Sequence, residues 1–425
     1  MKISKFIMLG MLALGMTTMA QAQTVIHYTG STAYRGQTHN AILHAMTSGS
    51  YGYVGTSFSG ASQAIFVGTI NGTSVIIKTS WSGSEAGIQA VSQQTGGSIT
   101  GVAVNFLPNT ITSATLLDKS TGGAQNLTDT LVSELPDVAM SDTAQTTSQF
   151  SPSASIVISG TARTYATLVD AISHGSTRDI VGIVPFKWVA SNNGAYSTSG
   201  TITNISTQQA RALYSVSKVG SGGGLPLSVL TGNNADSSFW VYPTGRNPDS
   251  GTRLTAFAET GIGATKAVTQ YQPTGGASAG STVTAIALWP VDTVNSISVV
   301  KANSGFSSGG TLAKALGSYT NTMTAPKGTG GILISYLSTG DAATALTSPG
   351  VGKELTYNGV LYSTAAVQEG AYTFWGYEHM YYPTGYTNST IVDTVAAQLY
   401  STDAAVLPSS MNVSRSSDGG TVTHN

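Results

Sequence analysis

One short segment carries the residue types of an anion site. Residues 246–252 read Arg-Asn-Pro-Asp-Ser-Gly-Thr, and apolar residues at helical spacing follow from Leu254. Ser250 is a good helix N-cap, and Gly251 lets the backbone approach a ligand. Free N–H groups, the hydroxyls of Ser250 and Thr252 and the helix dipole would converge, and Arg246 would add a guanidinium fork. The pattern indicates an anion site, with an ordinary capped helix as the alternative.

Two further turns follow the same logic. Residues 81–88 read Trp-Ser-Gly-Ser-Glu-Ala-Gly-Ile after a β-rich run, and residues 29–34 read Thr-Gly-Ser-Thr-Ala-Tyr after the first such run. Glycines and hydroxyl donors therefore gather at three strand-to-helix turns, where open parallel sheets bind their ligands. Together the three turns predict an oxyanion that is bound by uncharged donors.

A carboxylate accompanies these donors. Ser141 and Asp142 follow another β-rich run. A carboxylate beside an anion is unfavourable unless the ligand carries a proton that the carboxylate can accept. Monohydrogen phosphate carries such a proton at neutral pH and sulfate does not, so Asp142 would discriminate between them. The alternative is that Asp142 only caps a helix or a turn.

Alternating strands and helices must position these turns. Strand-like runs, rich in Val, Ile and aromatic residues, occur at residues 24–28, 74–79, 138–140, 180–184, 239–242 and 331–336. Apolar residues have helical spacing at residues 37–46, 88–93, 207–214, 251–259, 312–316 and 387–399. This alternation predicts α/β layers with largely parallel sheets. Residues 220–224 and 275–281 are expected to be loops, and residues 110–126 a surface excursion.

The composition excludes several classes of protein. Only 9% of the 425 residues are charged, the formal net charge is -1 and there is no cysteine. So few Lys and Arg residues argue against a nucleic-acid or anionic-membrane partner, because they could not neutralise the negative charge of either one. Disulfides, thiolate zinc sites and Cys nucleophiles are excluded, and 40% apolar residues at near-zero net charge argue against disorder.

The first residues predict export. Lys2 and Lys5 precede an apolar run at residues 6–16, and Ala20-Gln21-Ala22 is a cleavage pattern before Gln23. The run is too short to span a bilayer, which takes about 20 apolar residues. A buried N-terminal helix is the alternative. We expect the mature protein to be periplasmic or secreted, and soluble.

Four of these segments resemble the periplasmic phosphate-binding proteins of phosphate ABC transporters, in the type II periplasmic binding protein superfamily. The matching motifs occur in the same order and read Gly30-Ser31-Thr32-Ala33, Gly83-Ser84, Ser141-Asp142 and Arg246…Ser250-Gly251-Thr252. Weaker similarities occur at residues 204–206, 331–334 and 370–372, so the resemblance spans most of the chain after residue 22. The Arg-x-x-x-Ser-Gly-Thr match is its most specific part.

The resemblance implies a role for each matched residue. Thr32 and Ala33 would supply hydroxyl and backbone donors, and Ser84 would donate from the start of its helix. Asp142 would accept the proton of the ligand. The positive charge would come from Arg246, with the cradle completed by Ser250, Gly251 and Thr252.

The resemblance also implies a fold and a function. The fold is α/β with two lobes, each a mostly parallel sheet flanked by helices, and a ligand cleft between them. A signal peptide would occupy residues 1–22, the first lobe residues 23–187 plus 350–425, and the second lobe residues 188–349, with hinges near residues 185–189 and 348–355. The protein would be a non-enzymatic monomer without cofactor or metal, capturing inorganic phosphate or a similar oxyanion for an ABC transporter permease.

The chain departs from the family pattern at three places. Tyr34-Arg35 stands where the family often has an aromatic residue and proline, and residues 216–235 lack the usual Gly-Lys-Ile-x-x-Trp. Glu85 replaces a small residue beside Ser84, and pointing inward it would repel an anion.

Other functions fit parts of the sequence. An exported structural or surface-layer protein that kept the fold and lost the ligand would suit the low charge and the Ser/Thr/Gly-rich insertions. Residues 305–309 fit G-x-S-x-G, with Asp341 and His379 in hydrolase order, but a glycine-serine loop is favoured. The six histidines lack metal-ligand spacing. For the aromatic cluster at residues 372–382, core or interlobe packing is favoured over sugar stacking.

Overall fold

The computed structural model describes residues 23–171, 180–192, 202–215, 223–278, 280–347 and 352–425. The predicted signal peptide at residues 1–22 lies outside the described residues. So do residues 220–222 of one predicted loop and residues 348–351 of the second predicted hinge.

Strands dominate the described part of the chain. They are numbered β1 to β28 in chain order: Thr24–Gly30, Ser48–Tyr53, Gln63–Ile70, Thr73–Ser80, Gln93–Thr95, Ser98–Ile99, Val104–Phe106, Leu117–Asp118, Val132–Glu134, Val138–Ser141, Ser155–Ile158, Thr161–Tyr165, Leu168–Asp170, Gly182–Ala190, Asn204–Ile205, Leu225–Pro226, Trp240–Pro243, Tyr271–Gly275, Val283–Leu288, Asp292–Val294, Ile297–Val299, Thr324–Ala325, Gly328–Thr329, Ile332–Ser338, Lys353–Tyr357, Trp375–Pro383, Val413–Ser414 and Thr423–His424.

Helices connect the longer strands. Within the described ranges they are numbered α1 to α9: Arg35–Ala45, Ser84–Ser92, Thr207–Ser215, Ser228–Thr231, Gly251–Glu259, Gly309–Leu316, Thr339–Thr347, Thr364–Gln368 and Ser389–Gln398. The six strands and six helices predicted from hydrophobic patterning are all confirmed, with their ends shifted by a few residues. The prediction did not include the other strands, among them the long β3 and β26, or the helices α4, α7 and α8.

Fourteen strands form one mixed sheet. Its order is β16-β17-β24-β14-β26-β10-β1-β4-β3-β2-β8, with β13, β15 and β25 attached beside this path. Strand β1 pairs in parallel with β4 and β10, and β17 pairs in parallel with β24. The other pairs along the path are antiparallel. The α/β class is confirmed, but the prediction of mostly parallel sheets is wrong.

Hairpins explain the difference. Strands β2, β3 and β4 pair as consecutive antiparallel neighbours, without crossover helices between them. Asn71 and Gly72 close the two-residue connection between β3 and β4, and both have positive φ, at 49° and 77°. Asn-Gly is the preferred pair for such a turn because both positions need a left-handed backbone. The dipeptide was a hairpin signal that apolar patterning alone did not use.

Two long strands join the two ends of the sheet. The first part of β14 pairs with β26, from Gly182 to Pro185, and its second part pairs with β24. Strand β26 in turn reaches β10 through its second half. The first predicted hinge, residues 185–189, therefore lies on β14 where its partner changes. The division into lobes at residues 187 and 350 stays a prediction, because the main sheet is continuous.

The largest apolar cluster lies along these joining strands. Trp188 of β14 and Phe374, just before β26, are both fully buried, with ring centroids 5.4 Å apart in a stacked arrangement. Tyr336 of β24 meets Trp188 edge to face at 5.7 Å. Tyr372 and Trp375 are also fully buried. The aromatic cluster near the end of the chain therefore packs in the core, as the favoured interpretation expected.

The segment at residues 110–126 lies mostly at the surface. It contributes the short strand β8 to the edge of the main sheet beside β2. Ala124 is buried with Leu107 and Leu127 in a small satellite cluster. The predicted surface excursion is confirmed. Its buried contact, at Ala124, holds the segment against the edge of the sheet.

Removing the Trp188 side chain should strongly destabilise the fold. Trp188→Ala is expected to lower the free energy of unfolding by about 3–5 kcal/mol, because a large buried ring leaves a cavity between its aromatic neighbours. Urea denaturation followed by circular dichroism measures this loss. Leu361→Ala is the control, since Leu361 is 58% exposed and should change stability by less than about 0.5 kcal/mol. Equal losses in the two variants would show that this cluster does not stabilise the sheet.

Candidate functional site

The start of α5 is built as the sequence predicts. Ser250 has an extended backbone, and its Oγ accepts a hydrogen bond from the Arg253 N–H at 3.3 Å. This is the expected N-cap. The first turn is buried, with Thr252 at 3% exposure. The positive end of the helix dipole therefore lies inside the protein.

Three of the predicted residues meet at this terminus. The Asp142 carboxylate accepts a hydrogen bond from the Thr252 hydroxyl at 3.0 Å and another from the Ser84 hydroxyl. The Asp142 N–H donates to Ser84 Oγ at 3.3 Å, and Thr255 Oγ1 donates to the Asp142 carbonyl at 3.1 Å. The turns after β4, β10 and β17 thus converge on one buried carboxylate.

Glycine makes this convergence possible. A Cβ at Gly251 would clash with Asp142 Oδ1 and Ser84 Oγ, so no other residue fits between the carboxylate and the helix. Gly83 has a φ of +109°, and a Cβ there would lie 2.7 Å from the Asp249 carbonyl oxygen. The Glu85 N–H donates to that same oxygen at 3.0 Å. The starts of α2 and α5 therefore touch through their backbones.

Arg246 is buried beside this junction. It is 2% exposed, and its guanidinium donates from Nε to the Phe306 carbonyl at 3.1 Å and from Nη2 to the Ser307 carbonyl at 2.9 Å. It forms no ion pair with a carboxylate of the described residues. Burial lowers the pKa of Arg246, and the nearby Asp341 and Asp142 carboxylates oppose that shift. Among the described residues, the hydrogen bonds of this buried cation go to neutral carbonyls.

Charged side chains concentrate at this place. The chain has 18 Lys and Arg and 19 Asp and Glu residues, of which ten are buried among the described ones. Seven of these ten interact with one another around the start of α5: Glu85, Asp142, Arg246, Asp249, Arg253, Asp341 and Glu378. We call these seven residues the buried charge cluster. Arg253 joins it by donating to the Arg246 carbonyl at 2.9 Å.

Three carboxyl groups of the cluster hold protons at unusually high pH. Burial, opposed by Ser148 and the Gln149 N–H and assisted by Asp142, raises the pKa of Glu85 to about 7. Burial and the neighbouring Glu85 raise the pKa of Asp249 to about 8. Burial, with the Asp142 charge, raises the pKa of Glu378 well above its usual range. Because Glu85 is about half protonated at pH 7, and Asp249 and Glu378 are protonated to a greater extent, the cluster has less negative charge than its composition suggests.

Glu85 does point inward, as its position in the turn allowed. It is fully buried, and its Oε2 accepts the Gln149 N–H at 3.0 Å. An ionised carboxylate pointing inward is expected to repel an anion. The raised pKa reduces that repulsion at neutral pH, because a protonated carboxyl carries no charge.

Thr32 and Ala33 lie elsewhere. They line a polar cavity of about 390 Å³ together with Arg35, Ser338 and Asp341. Ser84, Asp142 and Thr252 are not among its lining residues. Arg35 forms an ion pair with Asp341 at 3.5 Å across this cavity. The first predicted turn meets the junction through Gly30, whose carbonyl accepts the Gly83 N–H at 2.8 Å, while Thr32 and Ala33 face the cavity beside Asp341.

The residues proposed for a serine hydrolase have different partners. The Ser307 carbonyl binds Arg246, Asp341 pairs with Arg35, and His379 Nδ1 lies 2.9 Å from Asp170 Oδ1. A nucleophile, a base and an orienting carboxylate must instead bond in sequence. The observed pairings do not form a triad.

Sequence reasoning missed two acids of the cluster. Asp249 lies within residues 246–252, but the sequence patterns assign it no role. Glu378 lies fully buried within the apolar and aromatic strand β26, and Ser31 is the hydrogen-bonding side chain that acts on its carboxyl group. A single acid inside such a strand was the available signal, since charged residues are seldom fully buried without a partner.

Neither a metal-binding cluster nor a membrane-spanning helix occurs among the described residues. No group of three His, Asp or Glu side chains there could hold a metal ion. None of the helices in those ranges is long and apolar enough to cross a membrane.

No protein-family model and no curated protein sequence matches the chain. Among solved structures, it is similar to an ABC-type phosphate transport receptor from Vibrio cholerae, with 11% identity, a TM-score of 0.39 and coverage of 88% of this chain and 93% of that one. A Clostridium perfringens structure with bound phosphate has 11% identity, a TM-score of 0.40 and coverage of 89% and 98%. PstS from Borrelia burgdorferi has 10% identity, a TM-score of 0.33 and coverage of 88% and 92%. The likeness is distant and concerns the mixed α/β architecture only.

The raised pKa values make the stability depend on pH. The ordinary values are 4.5 for Glu85 and 3.8 for Asp249, so between these and about 7 to 8 the folded state binds more protons than the unfolded state. The free energy of unfolding should therefore fall as the pH rises from about 5 to about 8. One pKa unit corresponds to about 1.4 kcal/mol, so the expected loss is on the order of a few kcal/mol.

Urea denaturation at a series of pH values measures this slope. Glu85→Gln and Asp249→Asn should each flatten it, because an amide does not titrate. Glu369→Gln, at an exposed position, should leave the slope as in the parent chain. A slope as steep in both cluster variants as in the parent chain would place the responsible protons on other groups.

Proposed function

We propose that this chain is an exported, non-enzymatic binding protein that captures a small oxyanion, monohydrogen phosphate first, at the start of α5. The single observation that carries the proposal is Arg246, a buried guanidinium without a carboxylate partner among the described residues. A buried cation needs a counter-charge, and two carbonyl oxygens supply only partial charge. An anion beside Arg246 would provide what the fold leaves out.

The donors around Arg246 suit such an anion. Ser84 and Thr252 each bring a hydroxyl to one point, and Gly251 leaves the helix terminus open to close approach. On binding, we infer that the two hydroxyls turn from Asp142 to the ligand oxygens. Asp142 then accepts the proton of monohydrogen phosphate, so the carboxylate keeps a hydrogen-bond donor.

The protonated acids adjust the electrostatics. If Glu85, Asp249 and Glu378 are neutral, two cationic and two carboxylate members of the buried charge cluster remain, namely Arg246 with Arg253 and Asp142 with Asp341. An oxyanion then enters a balanced environment instead of a negative one. Neutral carboxyl groups can also donate hydrogen bonds to it.

The wider setting of the proposal comes from sequence. Residues 1–22 support export through their signal-peptide pattern, and the family resemblance supports delivery of the anion to an ABC transporter permease. Thr32, Ala33 and Ser250 belong to the proposed site through that resemblance. In the proposal, Thr32 and Ala33 contact the ligand only after the polar cavity beside them narrows.

A second candidate function follows from Asp142 itself. Its carboxylate already accepts the hydroxyls of Ser84 and Thr252 and covers Gly251, so the protein's own acid occupies the donors that a ligand would use. A structural or surface-layer protein that retains this fold without a ligand would be held together in this way. The low overall charge also suits that function.

Replacing Arg246 should abolish oxyanion binding. Isothermal titration of the parent chain with inorganic phosphate should give a saturable heat, and Arg246→Ala should give none, because the only proposed positive charge at the ligand is lost. Arg246→Lys should retain weak binding, since the charge stays but the planar fork does not. Arg211→Ala, at an exposed arginine, is the matched control and should bind as the parent does.

Two results would contradict the proposal. Unchanged affinity in a folded Arg246→Ala variant would show that the guanidinium is not at the ligand. A parent chain with neither a heat of binding nor a higher melting temperature in phosphate would favour the structural candidate, because an anion bound only to the folded state must stabilise it.

Asp142 should set the choice between phosphate and sulfate. The parent chain is expected to prefer phosphate, since sulfate has no proton for the buried carboxylate at neutral pH. Asp142→Asn removes the repulsion and should narrow the ratio of the two affinities by tenfold or more, about 1.4 kcal/mol. Competition of each anion against labelled phosphate measures the ratio. If Asp142→Asn retained the parent's selectivity, the carboxylate would not contact the ligand.

A further inference from the structure

A second cavity lies on the other side of the Arg246-to-Thr252 loop. It has a volume of about 550 Å³ and is lined by residues that include Asn247, Asp249, Gln272, Trp289, Asp292 and Phe306. Ser84, Asp142 and Thr252 do not line it, so it is distinct from the proposed oxyanion site. Its volume falls within the range of pockets that hold small molecules, about 300–1,000 Å³.

Two polar atoms of this lining are buried without partners. Asn247 is 7% exposed and Trp289 is 9% exposed. Neither Asn247 Oδ1, an acceptor, nor Trp289 Nε1, a donor, has a hydrogen-bond partner among the described residues. Such an atom costs free energy until something supplies the missing bond. Asn247 Oδ1 needs a donor and Trp289 Nε1 needs an acceptor. A hydroxyl group can be either, so a ligand with hydroxyl groups would suit both atoms.

The rest of the lining excludes charged ligands. The Asp292 carboxylate would repel an anion. A cation is also disfavoured, because Asp292 accepts the Thr293 N–H at 2.7 Å and the Ser304 hydroxyl at 2.5 Å, and Asp249 accepts the Asn295 amide. The described residues hold no cluster of three metal-binding side chains. A neutral, polar ligand is what these groups leave.

Aromatic rings complete the lining. Trp289 and Phe306 meet edge to face with centroids 5.4 Å apart, and Phe306 is only partly buried. Apolar ring surface beside a few fixed amide and carboxyl groups is typical of small-molecule pockets. A ligand with C–H faces and several hydroxyls would contact both kinds of surface.

We infer that this cavity binds a neutral pyranose sugar, with its hydroxyls on Asn247, Gln272 and Trp289 and its C–H face against the aromatic pair. The ring is either a free sugar or the end of a glycan chain. The inference is independent of oxyanion binding, since it uses neither the Arg246 guanidinium nor the hydroxyls of Ser84 and Thr252.

Saturation-transfer NMR on the full chain tests the inference. The probes are D-glucose, D-galactose, D-mannose and N-acetyl-D-glucosamine, with maltose, cellobiose and lactose as chain-end probes. At least one probe should receive saturation from the protein, and titration calorimetry then gives its affinity. Tighter binding of a disaccharide than of its monosaccharide identifies a glycan end as the source, and the reverse identifies a free sugar.

Two variants and a control locate the binding. Trp289→Phe keeps an aromatic ring and removes the N–H, so it should weaken the sugar about threefold to tenfold. Asn247→Leu removes the acceptor at similar volume and should weaken it at least as much. Trp240→Phe changes a tryptophan of β17 outside this cavity and should have no effect. If Asn247→Leu does not fold, Trp289→Phe decides alone.

Two results would overturn the inference. If none of the seven sugars receives saturation in the parent chain, water fills the cavity and the inference is wrong. It is also wrong if a folded Trp289→Phe or Asn247→Leu variant binds the sugar with the parent's affinity.

Discussion

The close approach of four backbone turns is the constraint on which the rest of this molecule depends. At Gly30 a Cβ would lie 2.8 Å from the Met140 nitrogen, and at Gly87 a Cβ would lie 2.7 Å from the Gly30 Cα. Gly83 approaches the Asp249 carbonyl equally closely. With no side chain between them, the ends of β1, β4, β10 and β17 meet directly. The hydroxyls of Ser84 and Thr252 and the Asp142 carboxylate lie between these turns.

This junction explains where a weakly charged protein places its charges. Seven of the ten buried charged side chains among the described residues surround the start of α5. Burial disfavours the ionised form of Glu85, Asp249 and Glu378, and neighbouring carboxylates add to this, so all three hold their protons to higher pH. A surface rich in Ser, Thr and Gly keeps the protein polar without competing charges. The chain thus has few charged side chains, and most of the buried ones lie around the start of α5.

Local patterns predicted much of this arrangement, and long-range pairing limited the rest. The N-cap Ser250, the convergence of Ser84 with Asp142 and Thr252, and the principal strands and helices follow from turn chemistry and apolar spacing. The sheet direction did not, because strand order depends on contacts far apart in sequence, such as β14 with β26. Glu378 was missed for the same reason: its proximity to Asp142 arises only when β26 lies beside β10. The predicted ligand contacts of Thr32 and Ala33 stay a prediction, and in the structure both residues line the polar cavity beside Asp341.

The two proposed functions differ in the source of a single proton. The Asp142 carboxylate accepts hydrogen bonds from the hydroxyls of Ser84 and Thr252. If those hydroxyls turn to a ligand, a buried carboxylate is left without donors, which is costly unless another proton replaces them. Monohydrogen phosphate can supply it from outside. Glu378 could supply it from inside, because burial and the Asp142 charge raise its pKa and keep a proton on its carboxyl group. A fully deprotonated oxyanion brings no proton, so the junction favours either a protonated ligand or a closed structure maintained by its own acids.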